Sequence, residues 1–357
     1  MGKKGFGKPL AIPTRKATQF MREVMECIAD ADEDQKKVHQ FFQANLAKLD
    51  EALLEALPLV FAKLTADQPA KTRQNVAASF GNFGHLIGQF PLGNRLLNLE
   101  LSILACQLAL KIYAHEAFPE NWAAIQNNLG NAHGDRIRGD RAENLEKAIA
   151  AYELALQVRT REAFPADWAA TQNNLGSAYS DRIRGDRAEN LEKAIAACEL
   201  ALQVRTREAF PADWAQTQGN LGNAYNDRIW GDRAENLEKA IAAYELVLQV
   251  YTREAFSEKW TRTQNNLGTA YSDRIWGDRA ENLEKAIAAY ELAFQAYTCE
   301  AFPEKWAGIQ NNLGNAYSDR IRGDRAENLE KAIAAYELAL QVRTREAFPA
   351  DWAATQN

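Results

Sequence analysis

Residues 164–209 read FPADWAATQNNLGSAYSDRIRGDRAENLEKAIAACELALQVRTREA, and this wording recurs along the chain without insertion or deletion. Its leading Phe returns at Phe118, Phe164, Phe210, Phe256, Phe302 and Phe348, a period of 46 residues. Five near-identical units fill 118–347, and 348–357 begin a sixth, incomplete one. Self-similarity at a period of about 20–50 residues marks stacked supersecondary units, none of which can bury its apolar face alone. The usual work of such an array is to hold other molecules.

Each unit reads as two helices. The first opens at Pro119, where a missing N–H costs nothing, and an acid follows at once (Glu120; Asp167 in the next unit). At 100° per residue, Trp122, Ile125, Leu129, Ala132 and His133 gather on one face. Ala124, Asn127, Asn128, Asn131 and Asp135 gather on the other. Gly139 marks the break, and Asp140 with Glu143 resembles a capping box, with Asn144 as an alternative cap. The second helix carries Leu145, Ala148, Ile149, Tyr152, Ala155 and Leu156 on one face and is predicted to run to about Arg161. Gly130 and Ala148 are read as small residues where the two helices approach closely. No strand pattern is present.

The 357-residue chain has a net charge of −6, and a quarter of its residues are charged. An acidic balance argues against broad nucleic-acid binding, which needs a basic footprint. No apolar run approaches the roughly 18 residues of a membrane helix. Residues 1–13 are read as a disordered basic arm; MGKKGFGKPLAIPTRK has five basic residues and no acid, and no apolar stretch follows to make a signal peptide. Cys27, Cys106, Cys198 and Cys299 share no metal or redox spacing, which points to a reducing, cytoplasmic setting. The four His are equally scattered, so no metal, cofactor or catalytic site is expected.

The residues Leu175-Gly176-x-x-Tyr179, with Ala148-x-x-x-Tyr152-x-x-Ala155 in the preceding unit, resemble the tetratricopeptide repeat. That repeat is typically about 34 residues, so the extra length falls in the turn between helices (135–140) and between units (160–165). Gln126 stands where that family has its Trp, and Trp122 lies a turn earlier. The expanded unit is similar to the long repeats of cyanobacterial proteins that stand beside a caspase-like protease domain of the CHAT type. Its NNL wording is similar to the repeats of kinesin light chains. The resemblance implies an all-α, right-handed α-solenoid of stacked helix-turn-helix repeats. Residues 72–117 match the unit when shifted by 46, as Asn82, Gly84, Gly93, Arg95, Asn98 and Leu99 show, and form a divergent repeat. Residues 14–71 are read as a helical amino-terminal cap. Phe20, Val24 and Ile28 define one helix; a second, from Val38 through Leu57, is predicted to break at Pro58.

In tetratricopeptide arrays the first helices line the concave surface, so the polar stripe becomes a candidate peptide groove. Its members are Asn82, Asn127, Asn128, Asn131, Asn173, Asn174, Asn220, Asn223, Asn265, Asn266, Asn311, Asn312 and Asn315. An Asn amide both donates and accepts, so a ladder of them suits a peptide backbone, or equally a structural hydrogen-bond network. The Asp135 column is read as solvated or paired with the neighbouring Arg136. Trp230 and Trp276 replace Arg138, and Tyr251 and Tyr297 replace Arg159, giving secondary aromatic candidates. The expected function is a non-enzymatic protein-interaction scaffold that binds an extended peptide or partner helix. The alternative is the sensing part of a larger effector such as a CHAT-type protease. The sequence ends at Asn357 inside a first helix, so further chain, a partner or head-to-tail self-association is expected to cover the last repeat.

Overall fold

The computed structural model describes residues 11–32, 34–344, 346 and 348–356. The first ten residues of the basic arm expected over 1–13 lie outside the described residues, and the first helix begins at Ala11. All regular structure among the described residues is helical, in the expected all-α class of stacked helix pairs. The chain divides into two compact units, residues 1–184 and 185–357.

Unit 1 opens with α1 (Ala11–Asp30), α2 (Gln35–Ala44) and α3 (Glu51–Thr65). There follow α4 (Ala70–Gln89), α5 (Arg95–Ala109), α6 (Pro119–Gly134), α7 (Arg141–Leu156) and α8 (Pro165–Asp181). α4 pairs with α5 and α6 with α7, while α5 packs on α6 and α7 on α8. α1 to α3 rest on α4 and α5 as a cap. Its core is aromatic. Phe42 meets Phe83 and Phe90 edge-on at centroid distances of 5.9 and 5.5 Å, and Phe61 meets Phe80 at 4.9 Å. The expected break at Pro58 is not there; Pro58 lies inside α3. The chain breaks instead at residues 45–50, where the Asn45 amide donates to Phe41 O and Asp50 accepts from Leu53 N to start α3. Side-chain competition for backbone groups, strongest for Asn and Asp, decided the boundary over proline's lost N–H.

Unit 2 holds α9 (Arg187–Leu202), α10 (Pro211–Asp227), α11 (Arg233–Leu248), α12 (Ser257–Asp273), α13 (Arg279–Phe294), α14 (Pro303–Asp319), α15 (Arg325–Leu340) and α16 (Pro349–Gln356). Here α10 pairs with α11, α12 with α13 and α14 with α15, and each pair packs on the next.

One turn design serves every repeat. Gly139 sits at φ 81°, and Gly93, Gly231, Gly277 and Gly323 lie between 78° and 85°. A side chain there would hold a left-handed conformation costing about 1–2 kcal/mol. Asp140 is the N-cap, its Oδ1 accepting from Glu143 N at 2.7 Å. The box is one-sided, because Glu143 turns outward to Lys147 at 2.6 Å. Asn144 is no cap. It is buried and clips the turn, donating to Arg138 O at 2.8 Å. α7 ends at Leu156, short of Arg161, and tight turns follow, with Arg159 N donating to Ala155 O and Phe164 N to Thr160 O. Close approach falls on a different pair from Gly130 and Ala148. A Cβ on Gly130 would lie 2.5 Å from Tyr152 Cε1, while Ala148 faces Gly134.

Among the described residues no helix is long and apolar enough to cross a membrane. Among them, too, no group of three His, Cys, Asp or Glu side chains could hold a metal ion.

Candidate functional site

The polar stripe of the first helices splits into three columns, those of Asn127, Asn128 and Asn131, with different duties. The column of Asn128 reaches back to the preceding repeat. Asn174 Nδ2 donates to Asn131 Oδ1 at 3.0 Å, Asn266 Nδ2 to Asn223 Oδ1 at 2.9 Å, and Asn312 Nδ2 to Asn265 Oδ1 at 3.1 Å. Asn128 pairs with His85, which occupies the same place in the divergent repeat. These amides stitch first helix to first helix. Asn127 and Asn173 are buried, Asn220, Asn265, Asn311 and Asn312 are half-buried, and Asn82 is exposed.

The column of Asn131 differs. Tyr152 OH donates to Asn131 Oδ1 at 2.8 Å, Tyr244 OH to Asn223 Oδ1 at 2.8 Å, and Tyr336 OH to Asn315 Oδ1 at 2.7 Å. A tyrosine, buried at Tyr152 and Tyr244 and half-buried at Tyr336, thus fixes each amide with its oxygen inward. Among the described residues no acceptor takes the Nδ2 hydrogens of Asn131, Asn223 or Asn315. Asn223 and Asn315 are exposed.

Behind this face runs a set of ion pairs that the sequence did not disclose. Arg136 was expected beside Asp135; it instead forks onto Glu100 of the preceding second helix, with Nε and Nη2 at 2.7 and 2.9 Å from the two carboxylate oxygens. Arg182–Glu146, Arg228–Glu192, Arg274–Glu238 and Arg320–Glu284 repeat the fork at 2.6–2.8 Å. Hydrogen bonds from the arginines hold Glu146 and Glu284 below the usual carboxylate range. The Asp135 column pairs elsewhere, with the first residue of the preceding second helix: Arg95–Asp135 at 2.8 Å and Arg187–Asp227 at 3.1 Å. Those pairs are exposed and contribute about 0–1 kcal/mol each.

The aromatic candidates part company. Trp230 and Trp276 are half exposed, but Tyr251 and Tyr297 are buried at 2% and 5%. Their hydroxyls donate to Ala212 O and Glu258 O, so they stand in the packing between helices. Tyr113 of the divergent repeat does the same with Gln74 O, and a Tyr in this column was legible there. Where the column is Arg, the guanidinium is taken by a following threonine, Arg159 by Thr171 and Arg205 by Thr217, both at 3.1 Å.

One repeat breaks the pattern. Tyr179, Tyr225, Tyr271 and Tyr317 donate to a glutamate 26 residues earlier at 2.6–2.9 Å. In α6 the pair is His133 and Gln107, beside a cavity of about 300 Å³ lined also by Leu54, Glu100, Arg136 and Lys147. Among the described residues His133 Nδ1 is buried without a partner. Burial, then Arg136 and Lys147, depress the imidazole from 6.5 to about 4, against a smaller opposing pull from Glu100. Between pH 6.5 and 4 the unfolded chain therefore binds a proton that the folded chain refuses. Stability is full above pH 6.5 and falls through this window by about 3 kcal/mol. His133→Tyr is expected to abolish that share of the acid loss and to raise the melting temperature at neutral pH. Melting curves from pH 7.5 to 4 with the same slope for both proteins would refute it.

The thiols of Cys106 and Cys198 are buried and pushed up to about 12, which leaves them inert as nucleophiles near neutral pH.

Residues 122–161, 168–207 and 306–345 match the tetratricopeptide repeat family. Those three segments are similar to tetratricopeptide repeats. Among solved structures it is similar to a chain of the APC/C hetero-tetramer Cut9–Hcn1, with 14% identity and a TM-score of 0.46 over 92% of this chain and 60% of that one. It is also similar to the P58(IPK) TPR domain, with 14% identity and a TM-score of 0.26 over 96% and 97%. No curated protein matches the sequence.

Proposed function

We propose that the chain is a non-enzymatic interaction scaffold that takes an extended peptide or a partner helix along its first helices. The observation that supports this is the pair of exposed amides Asn223 and Asn315, whose oxygens are held by Tyr244 and Tyr336. Fixing the oxygen aims the two N–H donors outward, ready for carbonyl acceptors and already past the entropy loss of ordering. The Asn128 column, beside it in the candidate stripe, is the seam that holds these donors in register.

The test keeps the oxygen and removes the donor. Asn223→Asp with Asn315→Asp retains an acceptor for each tyrosine and for Asn266 but presents no N–H. Uncharged peptides selected from a displayed library on the full chain should bind the double variant about ten-fold more weakly, near 1.4 kcal/mol, with its melting temperature little changed. Undiminished affinity for every selected peptide would remove the Asn131 column from the binding face.

A further inference from the structure

The turn joining the two helices of each near-identical repeat leaves an isoleucine in solvent. In unit 2, Ile229, Ile275 and Ile321 are 59–61% exposed, and next to two of them stand Trp230 and Trp276, each 50% exposed. Sister repeats have Arg138, Arg184 and Arg322 in the tryptophan column. Arg138 bonds Glu51 of α3 at 2.9 Å, whereas the guanidinium of Arg184 and of Arg322 serves the acids of the preceding turn. Arg184 Nη2 lies 3.9 Å from Asp140 Oδ1, and Arg322 Nη2 lies 4.0 Å from Asp278 Oδ1. Hydrogen bonds from Lys147 and Lys285 hold Glu143 and Glu281 below the usual carboxylate range, and the same arginines add to the effect.

The tryptophan turns keep the backbone of the arginine turns. Gly231 and Gly277 have φ 81° and 85°, and Asn236 and Asn282 bond the carbonyls of Trp230 and Trp276 at 2.9 Å, as Asn328 bonds that of Arg322 at 2.8 Å. Each indole therefore stands where a guanidinium stands elsewhere. Asp186 and Asp232, the counterparts of Asp140 and Asp278, keep their N-cap bonds to Glu189 and Glu235. Among the described residues neither has a basic partner.

We propose that this ridge docks an extended basic segment of a partner protein, whose Lys or Arg side chains supply the two missing cations. An indole face attracts cations better than any other aromatic side chain, and a carboxylate beside it completes the charge match. The net charge of −6 favours encounter with such a partner. Spacing narrows the segment further. α10 packs on α12, and α12 on α14, so equivalent turns lie about 8–10 Å apart. A polyproline-II strand returns to the same side every three residues after about 9 Å, which selects basic residues at positions i and i+3.

The probe is an acetylated, amidated Lys-Pro-Pro-Lys peptide titrated into the full chain, followed by the indole N–H resonances of ¹⁵N-Trp protein. Trp230 and Trp276 should shift, the effect should fade with added salt, and Glu-Pro-Pro-Glu should do nothing. Trp230→Arg with Trp276→Arg installs what sister repeats already carry, so its fold is safe, and it should weaken binding at least ten-fold. Asn223→Asp with Asn315→Asp should leave it intact, which separates this ridge from the first-helix face. Equal response to both peptides, or unchanged binding by the arginine variant, would sink the proposal. So would a self-association that the arginine variant abolishes while the lysine peptide never binds.

Discussion

Arg274→Ala is expected to destabilise unit 2 by about 2–4 kcal/mol, more than any surface ion pair warrants. The guanidinium spans the seam between α11 and α12. It meets the two oxygens of Glu238 at 2.6 and 2.7 Å and Asn282 Oδ1 at 3.4 Å, and stacks 5.9 Å from the ring centre of Tyr271. Tyr271 in turn donates to Glu245 of α11 at 2.7 Å. The paired side chains are 23% and 26% exposed. That places the loss between the 0–1 kcal/mol of an exposed pair and the 3–5 kcal/mol of stripping one partner from a buried one. The cation–π contact adds about 0.5–1 kcal/mol. Arg274→Lys should recover less than half, since a point charge cannot serve both carboxylate oxygens and Asn282 together. Because repeats are held mainly by nearest-neighbour seams, denaturant unfolding should also become less cooperative, with a lower slope. A variant within 0.5 kcal/mol of the parent would show that apolar packing alone holds the seam.

These forks explain how much of the molecule was legible in its sequence. Helical periodicity, Pro119, Gly139 and Asp140 lie within one unit, and each acts on neighbours a few residues away, so the helix pairs could be read directly. Arg136 finds Glu100, Arg95 finds Asp135 and Asn174 finds Asn131, at separations of 36, 40 and 43 residues. Such pairs cross from one repeat to the next. Near-identical repeats hold both partners constant, so nothing in one sequence reveals which column meets which. The same limit applied to the Asn stripe, where the Asn128 and Asn131 columns look alike on a helical wheel. Only the tyrosine hydroxyl beneath Asn131 and Asn223 distinguishes the outward donor from the inward stitch. The divergent repeat marks this column in its sequence, since Tyr113 stands in the column of Tyr251 and Tyr297 and its burial is theirs.

Gly222→Val is expected to cost about 3 kcal/mol or more and to reach the proposed binding face through a single side chain. A Cβ at Gly222 would lie 2.8 Å from Cε1 and 3.0 Å from Cδ1 of Tyr244. That ring is 2% exposed and cannot step aside, so even Ala forces overpacking of about 1–3 kcal/mol, and the branched methyls of Val add to it. Helix propensity argues the other way, because replacing a mid-helix glycine by Ala gains about 1 kcal/mol. The same helix supplies the control. Gly219, three residues earlier in α10, would bring its Cβ no closer than 3.8 Å to Val247, an ordinary contact. Gly219→Ala should therefore stabilise by about 0.5–1 kcal/mol while Gly222→Ala destabilises, a difference in sign that denaturant unfolding resolves. The functional consequence follows from Tyr244, whose hydroxyl fixes Asn223 Oδ1 at 2.8 Å. A ring displaced by Gly222→Ala releases that amide to rotate, so affinity for a first-helix ligand should fall while Gly219→Ala leaves it unchanged. Equal affinities in the two variants would mean that the tyrosine under Asn223 packs the repeat without positioning the donor.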